Sequence, residues 1–254
     1  MFRHLKKYLV RRWAPETQNS TLLLRRSLGT YLQGSGIEIG ALHQPLSLEG
    51  LAVSKIQYVD RLPVDSLRQQ YPELANCRLA HVDVIDDGEK LSTFEDSSLD
   101  FIIANHFIEH ARNPIGVIRN WLTKLKPGGI IYMAVPDMQC TFDSERPLTL
   151  LSHLLKDDSI TNVEQEGSDY DHFYEYAKFT DKEKAGDDIK IHAHKLFEMN
   201  YSIHFHTFVL DSFLKMLWYI RDRLHLPFEI RAYVDTLPKG YEFLLVLSKY
   251  KVSI

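Results

Sequence analysis

The segment Leu99-Asp100-Phe101-Ile102-Ile103-Ala104 is an apolar run of strand length, and the polar Asn105 follows it. It lacks the polar alternation of a half-exposed strand, and so it is typical of a strand covered on both faces. Residues 114–125 follow with apolar residues at helical spacing, among them Ile115 and Ile118, which predict a helix. A cation, a proline and two glycines at 126–129 end this helix. An apolar run begins again at once. Strand, helix and strand in series predict a parallel, doubly wound sheet.

Similar runs on both sides of this segment extend the predicted sheet to seven strands. The other six are Gly36–Ile39, Ile56–Asp60, Arg78–Val84, Gly129–Val135, Phe228–Val234 and Tyr241–Leu247. A helix over Phe208–Leu224 precedes the last two, which a turn around Pro238 joins. We therefore expect an α/β fold with a Rossmann-like, mostly parallel sheet and an antiparallel hairpin at its edge.

The chain divides into three regions by composition. Residues 1–34 carry seven Lys and Arg side chains against one acid, and apolar residues recur at helical spacing from Phe2 to Trp13. This pattern predicts a basic helical extension that either contacts an anionic membrane or packs on the domain. Residues 35–254 form the predicted main domain. Within it, residues 137–206 are rich in aromatic and His side chains, and they are interpreted as an insertion after strand five that covers the acceptor.

Composition excludes several classes of protein. The chain has 254 residues, 44% of them hydrophobic, and a formal net charge of −4. The whole chain lacks the basic footprint that a nucleic-acid partner requires. The sequence contains no run of 18 apolar residues, which is the length that a membrane-spanning helix needs. Its two cysteines are too few for a disulfide framework. We therefore predict a cytoplasmic protein without a nucleic-acid partner, and the sequence gives no oligomeric state.

Polar residues end four of the predicted strands at regular spacing. Asp60 follows Glu38 by 22 residues, Asp83 follows after 23 more, and Asn105 after another 22. Ligands of open α/β sheets bind outside the carboxyl ends of the strands, where an acid after the second strand accepts hydrogen bonds from ribose hydroxyls. Gly40 after the first strand allows the backbone to approach the ligand closely. The series predicts one pocket for a ribose-containing ligand.

These segments resemble the class I S-adenosylmethionine-dependent methyltransferases, in particular the branch known as methyltransferase type 11. The resemblance covers about residues 36–136 and implies S-adenosylmethionine as cofactor. The matching segments are Ile37-Glu38-Ile39-Gly40-Ala41, Tyr58-Val59-Asp60, Val82-Asp83-Val84, Leu99-Asp100-Phe101-Ile102-Ile103, Asn105-His106-Phe107-Ile108-Glu109-His110 and Leu125-Lys126-Pro127-Gly128-Gly129.

The resemblance also implies which residues contact the cofactor. Gly40 would line its methionine part, Asp60 would bind the ribose, and Asp83 would lie near the adenine amine. Asn105 and His106 would lie beside the transferred methyl group. The full implied set is Glu38, which would order the glycine loop, with Gly40, Ala41, Asp60, Asp83, Val84, Asn105 and His106.

The loop after the first strand departs from the family pattern. The family has further glycines two and four residues after the first, whereas this chain has Leu42 and Gln44 there. The loop must therefore take another path. The missing G-x-G-x-x-G spacing also argues against a dinucleotide cofactor.

Histidines are the candidate catalytic groups. An acceptor hydroxyl benefits from a general base with a pKa near neutrality, which favours His. Besides His106, the insertion supplies His172, His204 and His206. If residues 203–208 are extended, His204 and His206 face the same side. The alternative is a set of hydrogen-bonded structural histidines.

The predicted reaction is methyl transfer to an oxygen or nitrogen of a small molecule. An aromatic and polar insertion favours a sugar, nucleotide-sugar or glycan acceptor, and the text around Gly40 is similar to methyltransferases of polysaccharide biosynthesis. Two alternatives remain, a non-catalytic cofactor-binding scaffold and a metal-dependent hydrolase. The second would use the pairs His192/His194 and His204/His206 with Asp171. The H-x-x-E-H spacing of residues 106–110 is similar to an inverted zinc-protease motif, but helix capping and cofactor contact explain it better. No metal site is predicted.

Overall fold

The computed structural model describes residues 15–160, 162–186 and 188–250. A seven-stranded sheet crosses it in the order β3-β2-β1-β4-β5-β7-β6. Neighbours from β3 to β5 pair in parallel, and β7 is antiparallel to both β5 and β6. The predicted mostly parallel sheet with an antiparallel edge is therefore confirmed. The predicted basic helix over residues 2–13 lies outside the described residues.

Among the described residues, α-helices separate only some of the successive strands. The strands are β1 (Gln33–Ile39), β2 (Ala52–Asp60), β3 (Val84–Ile85), β4 (Leu99–Asn105), β5 (Leu125–Pro136), β6 (Phe228–Val234) and β7 (Glu242–Lys249). The helices are α1 (Pro15–Gly29), α2 (Val64–Gln70), α3 (Pro114–Lys124), α4 (Leu151–Ser159), α5 (Asn162–Phe179), α6 (Lys182–Ala185), α7 (Ile189–Glu198) and α8 (Leu210–Asp222).

Helices cover both faces of the sheet, which is why the central strands lack polar alternation. Trp121 of α3 and Phe213 of α8 are fully buried against one face. Leu28 of α1 packs on the other face with Phe101 and Tyr132. Burial of such side chains stabilises the fold by about 1.5–3 kcal/mol each. The described part of the N-terminal region is thus built into the core of the domain.

Two predicted strand boundaries are wrong. Residues 78–83 are not part of a strand, because β3 is limited to Val84–Ile85. The division of the chain after residue 34 stays a prediction; β1 begins at Gln33. β5 begins at Leu125 rather than Gly129, since the backbone becomes extended directly at the end of α3.

Residues 137–206 contain the four helices α4 to α7, although their sequence shows little apolar periodicity. α5 and α7 pack around a small core of their own, with Phe173, Leu196 and Phe205 buried in it. The segment leaves the sheet at Asp137 and returns beside it, because Asp137 and Phe208 form a parallel bridge. Among the described residues, no helix combines the length and apolar character needed to cross a membrane.

Candidate active site

The carboxyl ends of the parallel strands bring the predicted cofactor residues to one edge. Ile39 pairs with Val59 of β2 and with Ala104 of β4. Gly40, which follows β1, and Asn105, the last residue of β4, therefore flank the sheet centre, with Asp60 at the end of the neighbouring β2. This is the position at which open α/β sheets bind ligands.

Gly40 turns the chain sharply away from β1. It has a φ of +63°, and a Cβ at this position would meet nothing within 4 Å. Its N–H donates to the Val59 carbonyl at 2.9 Å, which holds the turn against β2. Leu42 also adopts a positive φ of 45°, so the loop takes a path that differs from a glycine-rich one. The turn leaves open space next to the backbone at the carboxyl edge.

Glu38 holds the two central strand ends together. Its fully buried carboxylate accepts from the Leu46 N–H at 3.0 Å and from Asn105 Nδ2 at 3.2 Å. Burial raises the pKa of Glu38 to about 7, although these hydrogen bonds act to lower it. The Oδ1 atom of Asn105 is buried without a hydrogen-bond partner. The amide therefore presents an acceptor that a ligand donor at this edge would satisfy.

Asp60 ends β2 as predicted. Its Oδ1 accepts from the Arg61 N–H at 2.8 Å. Burial raises the pKa of Asp60, and hydrogen bonds from the backbone of Arg61 and Leu62 oppose this shift. A carboxylate in this position suits the vicinal hydroxyls of a ribose.

The predicted placement of Asp83 at the end of the third strand is wrong. Asp83 precedes β3, and its carboxylate accepts from the Tyr58 N–H at 2.8 Å, so it contributes to the pairing of the sheet. The acid at the carboxyl end of β3 is Asp86, whose N–H donates to the Asp60 carbonyl at 3.1 Å. Asp86 also accepts from Thr93 and from the Asp87 N–H. The sequence signal for it is the Asp-Asp-Gly turn at 86–88, which ends the short strand. A cofactor role for Asp83 and Val84 stays a prediction.

His106 follows β4 in a left-handed conformation with a φ of +51°. Its Nε2 donates to Glu242 Oε2 at 2.6 Å, and Glu242 forms a two-armed ion pair with Arg25 at 2.7 and 2.6 Å. Burial acts to raise the pKa of Glu242, but His106 and Arg25 lower it to about 2. Arg25 and Glu242 were missed from the sequence because α1 and β7 lie at opposite ends of the chain. The ion pair fixes the orientation of the His106 ring.

A second group of side chains surrounds Glu109, which is fully buried and has no hydrogen-bond partner at either carboxylate oxygen. Nitrogens of His106, His110 and His204 lie 3.7, 3.9 and 3.9 Å from its Oε1. Burial raises the pKa of Glu109, and the nearby His106 and His204 oppose this. We name Glu109, His106, His110 and His204 the Glu109 cluster.

His204 is the best oriented candidate base within the Glu109 cluster. Its Nδ1 donates to Asp143 Oδ2 at 2.6 Å, and Asp143 is also held by Arg146 at 2.9 Å. Burial acts to lower the pKa of His204, but Asp143 and then Glu109 raise it overall. The tautomer fixed by Asp143 leaves Nε2 facing the cluster, which is the arrangement of an acid–base histidine.

His172 and His206 join a different group. The chain bends at residues 205–206, so His204 and His206 do not share one side as an extended segment would require. His206 is fully buried and His172 nearly so, beside His153 and Asp157 of α4. A role for either histidine as general base stays a prediction. We name His153, Asp157, His172 and His206 the His153 cluster.

The histidine pair of α7 forms no ligand group with its predicted partners. His192 bonds Asp181 at 2.9 Å, and His194 pairs with Glu198 at the surface. In the part of the chain that the structure describes, potential metal ligands converge in the Glu109 cluster and in the His153 cluster. Neither cluster contains His192, His194 or Asp171. The metal-ligand set proposed for a hydrolase is therefore not assembled.

Comparisons with known proteins agree with this fold. Residues 38–133 match the family described as "Methyltransferase domain". A candidate methyltransferase from Bacillus halodurans C-125 is 13% identical with a TM-score of 0.50, and the alignment covers 91% of this chain and 100% of that one. A candidate S-adenosylmethionine-dependent methyltransferase from Listeria monocytogenes is 10% identical with a TM-score of 0.50, over 93% and 100% of the two chains.

Other comparisons limit what can be transferred. No curated protein matches the sequence significantly. The CurJ carbon methyltransferase is 13% identical with a TM-score of 0.46 over 86% of this chain, which spans 49% of that protein's length. The family match assigns residues 38–133 to a methyltransferase domain, whose cofactor is S-adenosylmethionine, and the order of the sheet agrees with this assignment.

Proposed function

We propose that the enzyme methylates a hydroxyl group of a sugar, nucleotide sugar or glycan, with His204 as the general base. The observation that carries this proposal is the Asp143–His204 pair at 2.6 Å, which shares the Glu109 cluster with His106 at the cofactor edge. Methylation of a nitrogen by the same site is the variant that the experiment below distinguishes.

The cofactor residues are proposed from the geometry of the edge. Asp60 would bind the ribose hydroxyls, and the open turn at Gly40 and Ala41 would accept the methionine part. Asn105 Oδ1, which is buried without a partner, would take a hydrogen bond from a donor of the bound cofactor. Glu38 acts indirectly, because its carboxylate is occupied by the loop and by Asn105.

The sulfonium of the cofactor supplies an activated methyl group, so the chain has mainly to align the acceptor and exclude water. His204 Nε2 would take the proton from the acceptor hydroxyl, whose oxygen would receive the methyl group that the cofactor supplies, with S-adenosylhomocysteine as the leaving group. Asp143 stabilises the resulting imidazolium. His106, held by Glu242, positions the acceptor oxygen.

Aromatic rings beside these histidines support a sugar as acceptor. The Phe142 ring lies 4.6 Å from the His204 ring, and Tyr241 lies 5.4 Å from His106. Flat apolar faces next to hydrogen-bonding side chains suit a ring that has an apolar face and polar edges. The two free cysteines support the further proposal that the protein works in the cytoplasm.

The test is an acceptor panel with purified protein and S-adenosylmethionine. Sugars, nucleotide sugars and glycan fragments form one arm and small amines the other, with S-adenosylhomocysteine release as readout and mass spectrometry of the product. We expect O-methylated product from the sugar arm. Product from the amine arm alone would overturn the hydroxyl proposal, and cofactor binding without turnover on any acceptor would favour a scaffold.

The role of His204 is tested with a matched pair of variants. His204→Gln should lower kcat by about 10²–10⁴-fold while it leaves the affinity for S-adenosylhomocysteine unchanged. His194→Ala, which alters an exposed histidine of the same insertion, should retain activity. Full activity of His204→Gln at every pH would rule out its role as base.

A further inference from the structure

The His153 cluster brings four ligand atoms together inside the insertion. His153 and Asp157 lie one turn apart on α4, His172 comes from α5, and His206 from the bend before α8. Their nitrogens and the Asp157 oxygen all lie within 4.8 Å of one another. Three of the four side chains are buried, which is an unusual concentration of polar groups for a small core.

The distances fit ligands that share one ion. Asp157 Oδ2 lies 3.3 Å from His153 Nε2, 3.8 Å from His172 Nε2 and 3.7 Å from His206 Nε2, and the His153 and His172 nitrogens are 3.4 Å apart. Ligands at 2.0–2.1 Å from a tetrahedral ion are separated by about 3.3–3.4 Å. Small movements of side chains would bring all four into that range.

The orientation of the rings agrees with this interpretation. The ring centroids of His153, His172 and His206 are 5.0, 5.0 and 5.8 Å apart, and the rings meet edge-on at 68–90°. Imidazoles bound head-on to one tetrahedral ion have centroids about 5 Å apart. Stacked packing would instead place ring faces together.

The contacts between Asp157 and the three histidines are too long for charge-assisted hydrogen bonds. The three Nε2–Oδ2 distances exceed the 2.7–2.9 Å of a charge-assisted hydrogen bond.

The surroundings also suit a cation. The His172 ring packs edge-on against the Phe205 ring, with the two ring centroids 5.4 Å apart. The nearby Arg112 and Arg146 are neutralised by Asp169 and by Asp143 and Glu175. His206 Nε2 also lies 3.2 Å from the Arg112 carbonyl, so this ring must shift its proton to Nδ1 to become a ligand.

We propose that His153, Asp157, His172 and His206 bind one Zn²⁺ ion that stabilises the insertion. Three imidazoles and one carboxylate form a ligand set typical of zinc, and four protein ligands make a closed, structural site. The ion would join α4, α5 and the bend at residue 206. This proposal differs from the prediction from sequence, which named no metal site. The proposal does not depend on which acceptor the enzyme methylates.

The experiment compares metal content among variants of the full chain. After purification, the protein is incubated with excess ZnCl₂, desalted and analysed by inductively coupled plasma mass spectrometry. We expect one zinc per wild-type chain and loss of most of it in His172→Ala and in Asp157→Asn. Glu109→Gln and His110→Gln, which alter the other cluster of potential ligands, should retain one zinc.

Two measurements on the wild type keep the test decisive if variants fail to fold. X-ray absorption at the zinc edge should show nitrogen and oxygen neighbours at about 2.0–2.1 Å with imidazole outer scattering and no sulfur. Chelation should lower the melting temperature, and added Zn²⁺ should restore it. A zinc-free wild type after reconstitution, or zinc lost from Glu109→Gln but kept by His172→Ala, would overturn the proposal.

Discussion

The ion pair between Arg25 and Glu242 makes a prediction about stability. Both side chains are at least 93% buried and are joined by two hydrogen bonds of 2.6 and 2.7 Å. Arg25→Met removes one partner and leaves the Glu242 carboxylate in the core with His106 as its remaining donor. Breaking a buried pair in this way costs about 3–5 kcal/mol.

The expected loss is large enough to measure by thermal unfolding. For a chain of this size, 1 kcal/mol corresponds to about 2–4 °C, so the melting temperature should fall by about 6–20 °C. Arg26→Met is the matched control, because Arg26 is exposed on the same helix and bonds only the Glu49 carbonyl at 3.1 Å. Its effect should stay within about 0.5 kcal/mol.

A double variant separates loss of the pair from loss of packing. Arg25→Met combined with Glu242→Gln removes the unpaired charge and keeps an acceptor for His106, so it should recover more than half of the lost stability. A loss below about 1 kcal/mol for Arg25→Met, or a double variant as unstable as the two single losses added, would refute the reasoning.

Three further predictions concern the edge of the sheet. Asp60→Ala should weaken S-adenosylhomocysteine binding by about 1.5–3 kcal/mol, or roughly 10–150-fold in calorimetry, and unchanged affinity would reject the placement of the ribose. Burial raises the pKa of Glu38 to about 7, so the folded state binds the Glu38 proton more tightly than the unfolded chain does. The free energy of unfolding should therefore fall by up to about 3 kcal/mol as the pH rises from about 4.5 to 7. Glu38→Gln should remove this component from the pH dependence of the melting temperature, and an identical curve would contradict the assignment. Gly88→Ala would place a Cβ 2.5 Å from Ile39 and 2.7 Å from Phe107, so it should lower stability in urea by about 1–3 kcal/mol, and a neutral effect would show that these side chains can move.

The fold could be predicted because its signals are local. Central strands such as β4 are apolar on both faces, and α3 has a clear start signal and a clear stop signal. The third strand was misplaced because only two residues of it pair, too few to give a periodic pattern. The acid at its end was consequently assigned to Asp83 rather than Asp86.

The site could be predicted only in part, because several of its contacts join distant segments. His204 was singled out, but its partner Asp143 lies 61 residues earlier in the chain. His153 and Asp157 have the i, i+4 spacing of one helical face, and that signal was missed because residues 151–159 were not predicted to be a helix. Spacing shows which residues share a face but does not show which faces meet.

The bridge between Asp137 and Phe208 has a consequence for how this enzyme can vary. Both ends of a 70-residue excursion are anchored at one point on the rim, where the Met138 N–H donates to the Phe208 carbonyl at 2.8 Å. The entropic cost of bringing the two ends of such an excursion together grows only logarithmically with its length. Shorter or longer segments could therefore be grafted between these two residues while the sheet beneath keeps its register.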